Sequence, residues 1–208
     1  MMRIAFIGIG LMGLPMAKRL CEAGLQPHVW NRTRAKAEPL AALGAQVHDT
    51  LAEAVHQADV VVTMLEDGKV VESVLFADGL AKALQRGSLL IDMSSIQPAQ
   101  ARSHGQQLAA LGVGYLDAPV SGGTLGAEAG NLAIMAGGSD ADFERGRPVL
   151  THFGRPTLVG PTGSGQLAKL ANQMIVGVTI GVVAEALLLC AKGGADMAKV
   201  KEIGRAHV

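Results

Sequence analysis

Four short stretches of this 208-residue chain hold residue types whose spacing points to chemistry. The first is Gly8-Ile9-Gly10-Leu11-Met12-Gly13, a G-x-G-x-x-G between an apolar run and a helical pattern. Gly8 permits a tight turn, Gly10 lets backbone approach a pyrophosphate, and Gly13 lets a helix pack closely on a strand. The helix N-terminus then turns its N–H groups and partial positive charge toward the phosphates. Six such residues alone are a weak signal; their place inside the first strand–helix unit makes them a dinucleotide site rather than a bare turn. The second stretch, Asn31-Arg32-Thr33, closes the second apolar run. A site for NAD(H) usually has Asp or Glu here for the ribose 2′-hydroxyl. Arg32 suits a 2′-phosphate and can stack on adenine, with Thr33 donating a further hydrogen bond, so NADP(H) is favoured and NAD(H) stays open.

The third stretch is Asp117-Ala118-Pro119-Val120-Ser121-Gly122-Gly123. It follows a strand pattern and so falls at the carboxyl edge of a sheet. Successive N–H groups of Ser121, Gly122 and Gly123 there suit a substrate carboxylate; the plainer alternative is a flexible glycine turn, with Asp117 shaping the loop. The fourth is Lys169 with Asn172 and Gln173, at spacings that put all three on one helical face just after Gly163-x-Gly165. A lysine ammonium beside a carbonyl can donate the proton that accompanies hydride addition to carbon, and can take it back in the reverse direction; Asn172 or Gln173 would orient it or the substrate. On an isolated helix, a solvated lysine with its stem along apolar surface is the simpler reading.

The elements that must position these residues alternate along the chain. Strands are expected over 4–9, 27–30, 46–48, 60–65, 89–93, 114–118, 132–136 and 157–159. Helices are expected over 11–23, from Thr33 toward Leu43 with Pro39 kinking or restarting it, then over 51–58, 69–76, 98–111 and from Ser139 to Leu150. The nearly all-apolar 60–65 run suits a strand buried on both faces. This β-α order predicts an α/β, Rossmann-like doubly wound sheet. From Gln166 a long apolar helix runs to about Lys192, and Asp196 can cap another. The expected division is a dinucleotide domain over 1–162, the start of an all-α domain over 163–201, and a tail over 202–208 whose sequence reads like a translated adapter artefact.

Composition narrows the classes. Hydrophobic residues at 49% and charged residues at 17% exclude a disordered chain, and a net charge of zero gives no footprint for nucleic acid or an anionic membrane surface. Aromatics at 3% leave a core of Ala, Val, Leu, Ile and Met, suited to close helix-on-sheet layers. Cys21 and Cys190 make neither a disulfide framework nor a metal cluster, which fits a cytoplasmic protein without a metal site. A signal peptide over 4–17 is argued against by Gly8, Gly10 and Gly13 and by the lack of an Ala-x-Ala site. The 174–191 run, interrupted by Glu185, reads as too short for a bilayer. His104 and His152 lack metal-ligand spacing and read as surface residues.

Three motifs together resemble the β-hydroxyacid dehydrogenase family, which includes 3-hydroxyisobutyrate dehydrogenase and tartronate semialdehyde reductase and is related to 6-phosphogluconate dehydrogenase. They are GIGLMGLPMA (Gly8 to Ala17), DAPVSGG (Asp117 to Gly123) and GSGQLAKLANQ (Gly163 to Gln173), in family order. The resemblance implies a Rossmann-like domain, a linking helix and an all-α dimerising domain, of which this chain would hold only the first helix. It implies Lys169 as catalytic acid/base, Ser121, Gly122 and Gly123 as substrate-carboxylate ligands, and Asn172 as the Asn that often follows the Lys. It places Met64 and Leu65 beside the cofactor and Ser95 near the nicotinamide ribose. Many members have Asn where this chain has Gln173; Lys-Leu-Ala-Asn-Gln tilts the substrate toward 2-hydroxy-3-oxopropionate (tartronate semialdehyde). Methylmalonate semialdehyde (the 3-hydroxyisobutyrate couple), glyoxylate and succinic semialdehyde stay open, as does a non-catalytic dinucleotide-binding module. A homo-oligomer is expected of the full-length protein, and turnover by the 208-residue chain itself is left open.

Overall fold

The computed structural model describes residues 2–205. The chain divides after Lys169 into two compact units. In the first, the elements run β1 (Ile4–Ile7), α1 (Gly13–Glu22), β2 (His28–Trp30), α2 (Glu38–Ala41), β3 (Gln46–Val47), α3 (Leu51–Val55), β4 (Val60–Thr63), α4 (Gly68–Glu72), α5 (Leu80–Ala83) and β5 (Leu89–Asp92). They continue with α6 (Pro98–Ala110), β6 (Gly114–Asp117), β7 (Val120–Ser121), α7 (Gly123–Ala129), β8 (Leu132–Gly137), α8 (Asp140–Leu150), β9 (Gly154–Gly160) and the start of α9 (Ser164–Lys192).

The strands lie in the order β3-β2-β1-β4-β5-β6-β8-β7, with β9 pairing β8. The first six are parallel, whereas β8 runs antiparallel to β6 and β7 antiparallel to β8. The sheet is therefore mixed rather than wholly parallel. Its centre is built from runs with no polar face: Phe6, Val62 and Ile91 point into one apolar layer, while Ala5, Ile7, Val61 and Leu90 point into the other. Helices cover both faces, so nearly every side chain of β1, β4 and β5 is buried, which is why those strands lack alternation. The strand order reverses between β1 and β4, and this switch point opens a crevice at the carboxyl ends where such folds bind ligands.

Several local expectations change. The 120–129 segment is ordered: Val120 and Ser121 pair with Ile134 and Ala133 of β8, and Gly123–Ala129 is helical. This helix buries only Gly126 and Ala127, so it leaves no large apolar stripe in the sequence. The 69–76 helix ends at Glu72 and continues as a π-helical turn over Ser73–Ala77; α5, after Gly79, carries too short a pattern to be read. Thr33 precedes a 3₁₀ turn at Arg34–Lys36, and Pro39 sits in the first turn of α2, where its missing N–H costs nothing. His104 is not a surface residue: α6 buries it between Ala101 and Leu108, its ring centroid 5.6 Å from that of Phe76.

The second unit comprises α9 beyond Lys169 and α10 (Met197–Arg205). Asp196 caps α10, its Oδ1 accepting N–H bonds from Ala198 at 2.9 Å and Lys199 at 3.4 Å. Residues 202–205 of the suspected tail continue α10, and 206–208 lie outside the described residues. The helix α9 begins at Ser164, two residues before the expected start, and ends at Lys192 as expected. With 29 residues and a mean hydropathy of 2.3 in its most apolar window, it is long and apolar enough to cross a membrane by length and composition.

Candidate functional site

The glycine loop follows β1 at the switch point. Gly8 has φ +100°, and a Cβ there would collide with the Met64 carbonyl of the neighbouring strand's end. A Cβ on Gly13 would run into the Gly8 carbonyl, so the first turn of α1 lies directly against the loop. Gly10 differs: a Cβ there meets nothing within 4 Å among the described residues. Two glycines thus close the backbone up while the third leaves a cradle open in front of the α1 N-terminus, which is what a pyrophosphate needs. Leu11 is exposed beside it and Met12 half-buried. The Asn31 side chain ties this loop to the end of β2, accepting from the Ile9 N–H at 2.9 Å and donating to the Thr33 carbonyl at 2.9 Å. Its amide thus joins two turns.

A cleft of about 340 Å³ runs from Gly8 and Gly10 past Trp30, Asn31, Arg32 and Thr33, and is closed opposite by Met64, Leu65 and the 66–78 segment. Arg32 is exposed in it and makes no ion pair among the described residues, whereas the neighbouring Arg34 is held by Glu38 at 2.7 Å and Asp49 at 2.8 Å. Lys36 and Lys69 also line the cleft. Sequence reasoning missed both. Lys36 was findable four residues after Arg32, but Lys69 reaches the cleft only because α4 folds over it.

The carboxyl ends of β4, β5 and β6 carry a buried polar network. Asp92 Oδ1 accepts from Thr63 Oγ1 at 2.9 Å and from the Ser94 N–H at 3.1 Å, while Oδ2 has no hydrogen-bond partner among the described residues. Burial pushes the Asp92 carboxyl up to about 6, against the pull of the Ser94 and Thr63 hydrogen bonds and with a further push from Asp117 alongside it. Ser94 Oγ accepts from the Leu65 N–H at 2.9 Å, which holds the strip beside the glycine loop; Ser95 next to it is exposed. Asp117 does more than shape its own loop. Its two oxygens accept the Gly163 and Gln166 N–H groups at 2.7 and 2.9 Å and so cap the start of α9 from a neighbouring strand. Burial raises the Asp117 pKa, and these backbone bonds oppose the rise.

Lys169 follows on that pinned first turn. It is half-buried, and desolvation lowers its pKa from the ordinary lysine value. Ser121 is half-buried at the end of β7, and Gly122 and Gly123 are exposed at the start of α7, both with positive φ (137° and 64°). Asn172 and Gln173 continue along α9 in the second unit, the first half-buried and the second exposed. The first unit thus brings together the glycine loop, Asn31 to Thr33, Met64 and Leu65 around one cleft.

Residues 3–165 match the family model for the NAD binding domain of 6-phosphogluconate dehydrogenase. Residues 163–206 match the model described as NAD-binding of NADP-dependent 3-hydroxyisobutyrate dehydrogenase. A 2-hydroxy-3-oxopropionate reductase of Escherichia coli (strain K12) is 44% identical over 203 residues, covering 97% of this chain and 69% of the relative. Among solved structures, 3-hydroxyisobutyrate dehydrogenase of Mycobacterium tuberculosis with L-serine superposes with a TM-score of 0.89 at 39% identity, over 94% of this chain and 67% of that one. An imine reductase from Myxococcus stipitatus in complex with NADP+ reaches a TM-score of 0.85 at 30% identity, over 98% and 71%. The second family model covers the apolar α9, so that helix belongs to a dehydrogenase domain in this match.

Proposed function

This chain belongs to the 3-hydroxyisobutyrate dehydrogenase (β-hydroxyacid dehydrogenase) family of NAD(P)-dependent enzymes acting on CH–OH groups, and on that footing we propose that it interconverts a small carboxylate-bearing semialdehyde and its β-hydroxy acid. The observation that carries this reading is Lys169, half-buried with a lowered pKa on a helix start pinned to the carboxyl edge of the sheet. A lowered pKa brings the ammonium closer to the balance of donor and acceptor that reversible proton transfer requires. In this reading Lys169 gives the proton to the carbonyl oxygen on reduction and removes it from the hydroxyl on oxidation. Ser121, Gly122 and Gly123 hold the substrate carboxylate, and Asn172 and Gln173 orient substrate or lysine. Tartronate semialdehyde leads as substrate, supported by the 44% identical relative and by Lys169-Leu170-Ala171-Asn172-Gln173.

The open cradle at Gly10 and the adjoining cleft fit a nicotinamide dinucleotide. When bound, its nicotinamide supplies or accepts the hydride. The α1 N-terminus and loop backbone from Gly8 to Gly13 would hold the pyrophosphate, Met64, Leu65 and Ser95 would flank the cofactor, and Arg32 with Thr33 would take a 2′-phosphate, which favours NADP(H). A cytoplasmic location and assembly with a second copy belong to the same proposal.

Titration of the chain with NADPH and NADH, followed by nicotinamide fluorescence, tests it. Saturable binding is expected, tighter for NADPH and weakened about tenfold or more by Arg32→Ala, the loss of one charge-assisted phosphate contact. Turnover is then read on tartronate, methylmalonate and succinic semialdehydes, glyoxylate and a cyclic imine. Preference for a carboxylate-bearing aldehyde, abolished by Lys169→Ala with cofactor binding intact, supports the reading. Cofactor binding with no Lys169-dependent turnover would refute the enzymatic role and leave a dinucleotide-binding module.

A further inference from the structure

Gln166 has no part in the chemistry described so far, yet through it the helix of Lys169 meets the cofactor edge of the sheet. It lies on the first turn of α9, three residues before Lys169, and is 1% exposed. Its side-chain amide is used in both senses: Oε1 accepts from the Ile96 N–H at 3.0 Å, and Nε2 donates to the Ser94 carbonyl at 2.8 Å. Its own backbone N–H is taken by Asp117. The two groups held by the amide flank Ser95, and Ser94 Oγ passes the connection to Leu65 on the wall of the cleft. A Gly165 Cβ would collide with the Met135 and Asp117 carbonyls, so backbone contact already holds the axial position of this turn. The amide adds a directional link, donor to one peptide and acceptor from the next, that no apolar side chain supplies.

We propose that Gln166 is a positioning residue for Lys169, fixing the first turn of α9 against the Ser94–Ile96 stretch so that the proton carrier and the cofactor edge are set by one pair of hydrogen bonds. This rests on Lys169 as proton carrier for its catalytic consequence, but not for its geometric one. A glutamic acid at 166 makes the distinction. Protonated, it can donate to Ser94 and accept from Ile96 as the amide does; ionised, it has no donor and sets a negative charge against a carbonyl. Burial keeps the acid neutral at low pH.

The test uses the full 208-residue chain with Gln166→Glu and Gln166→Leu. Two quantities are measured across pH: kcat with the preferred semialdehyde, and the rate at which an amine reagent, trinitrobenzenesulfonate, modifies Lys169, mapped by peptide mass. For Gln166→Glu, both stay near wild type at pH 6. As the acid ionises, kcat falls about ten- to a hundredfold relative to wild type, the scale of a small displacement of a catalytic group, and Lys169 modification departs from wild type. The Kd for the dinucleotide stays within about threefold, as expected of a residue that does not touch it. Gln166→Leu shows the high-pH behaviour at every pH. A Gln166→Glu chain with a flat ratio to wild type in both measurements overturns the proposal, as does one that does not fold at pH 6. If the wild-type chain lacks Lys169-dependent turnover, the proposed function fails; the modification profile still decides the positioning.

Discussion

Asp92 makes the stability of this protein depend on pH in the direction opposite to that of a paired surface carboxylate. It is fully buried at the carboxyl end of β5, beside Asp117 on β6, with Oδ2 unpartnered among the described residues. Burial, offset by the Ser94 and Thr63 hydrogen bonds, raises its pKa from 3.8 to about 6. A raised carboxyl pKa means that the folded state holds the proton more tightly than the unfolded chain. Its stabilising contribution is therefore complete below pH 3.8 and is lost as pH rises through about 6. At about 1.4 kcal/mol for each pH unit between 3.8 and about 6, the loss amounts to about 3 kcal/mol by pH 7. About half is gone at pH 5, where the unfolded carboxyl is largely ionised and the folded one is not. Urea unfolding of wild type and Asp92→Asn at half-unit steps from pH 4 to 7.5 isolates Asp92 together with its coupling to Asp117, because titrating groups not coupled to it cancel in the difference. The variant, with no proton to lose, gains on wild type by about 2.5 kcal/mol across this range. Bound NADPH is omitted so that linkage to ligand does not enter. A difference that stays constant with pH, or that shrinks as pH rises, refutes the reasoning.

The remaining predictions separate binding from folding. Gly10→Val places atoms in open space, so thermal unfolding should stay within a degree or two of wild type while NADPH binding is lost; retained binding would remove the pyrophosphate from this cradle. Gly13→Ala drives a Cβ into the Gly8 carbonyl, backbone that cannot swing aside, and should cost about 1–3 kcal/mol in urea unfolding. Thr50 and Glu53 form a reciprocal cap on α3 (Glu53 N–H to Thr50 Oγ1 at 3.2 Å, Thr50 N–H to Glu53 Oε2 at 3.1 Å), and neither lines the cleft. Thr50→Ala should lose about 1 kcal/mol of stability and leave NADPH affinity unchanged.

What the sequence disclosed and what it hid divide along physical lines. Val60-Val61-Val62 and Leu89-Leu90-Ile91 read as strands because burial on both faces writes itself as an unbroken apolar run. The glycine loop was legible because its three glycines answer distinct backbone demands at fixed spacing, a tight turn at Gly8, an open approach at Gly10 and a close contact at Gly13, and the structure gives each a different surrounding. The antiparallel β7 and the helix at Gly123–Ala129 were not legible. Two residues cannot show a period, and a helix that buries only glycine and alanine leaves no apolar stripe, so a glycine-rich stretch hid ordered structure behind it. His104 was misplaced because an imidazole on a helix gives no sign of which face it occupies until Ala101 and Leu108 are seen packing with it. Gln166 is the sharpest instance. In sequence it is one polar residue between Gly165 and Leu167; in three dimensions its amide joins segments 70 and 72 residues away. Spacing exposes groups that act on a ligand from a single helix or loop. Bonds made across the fold give no such signal, as with Asp92 to Thr63, Asp117 to Gly163 and Gln166 to Ser94.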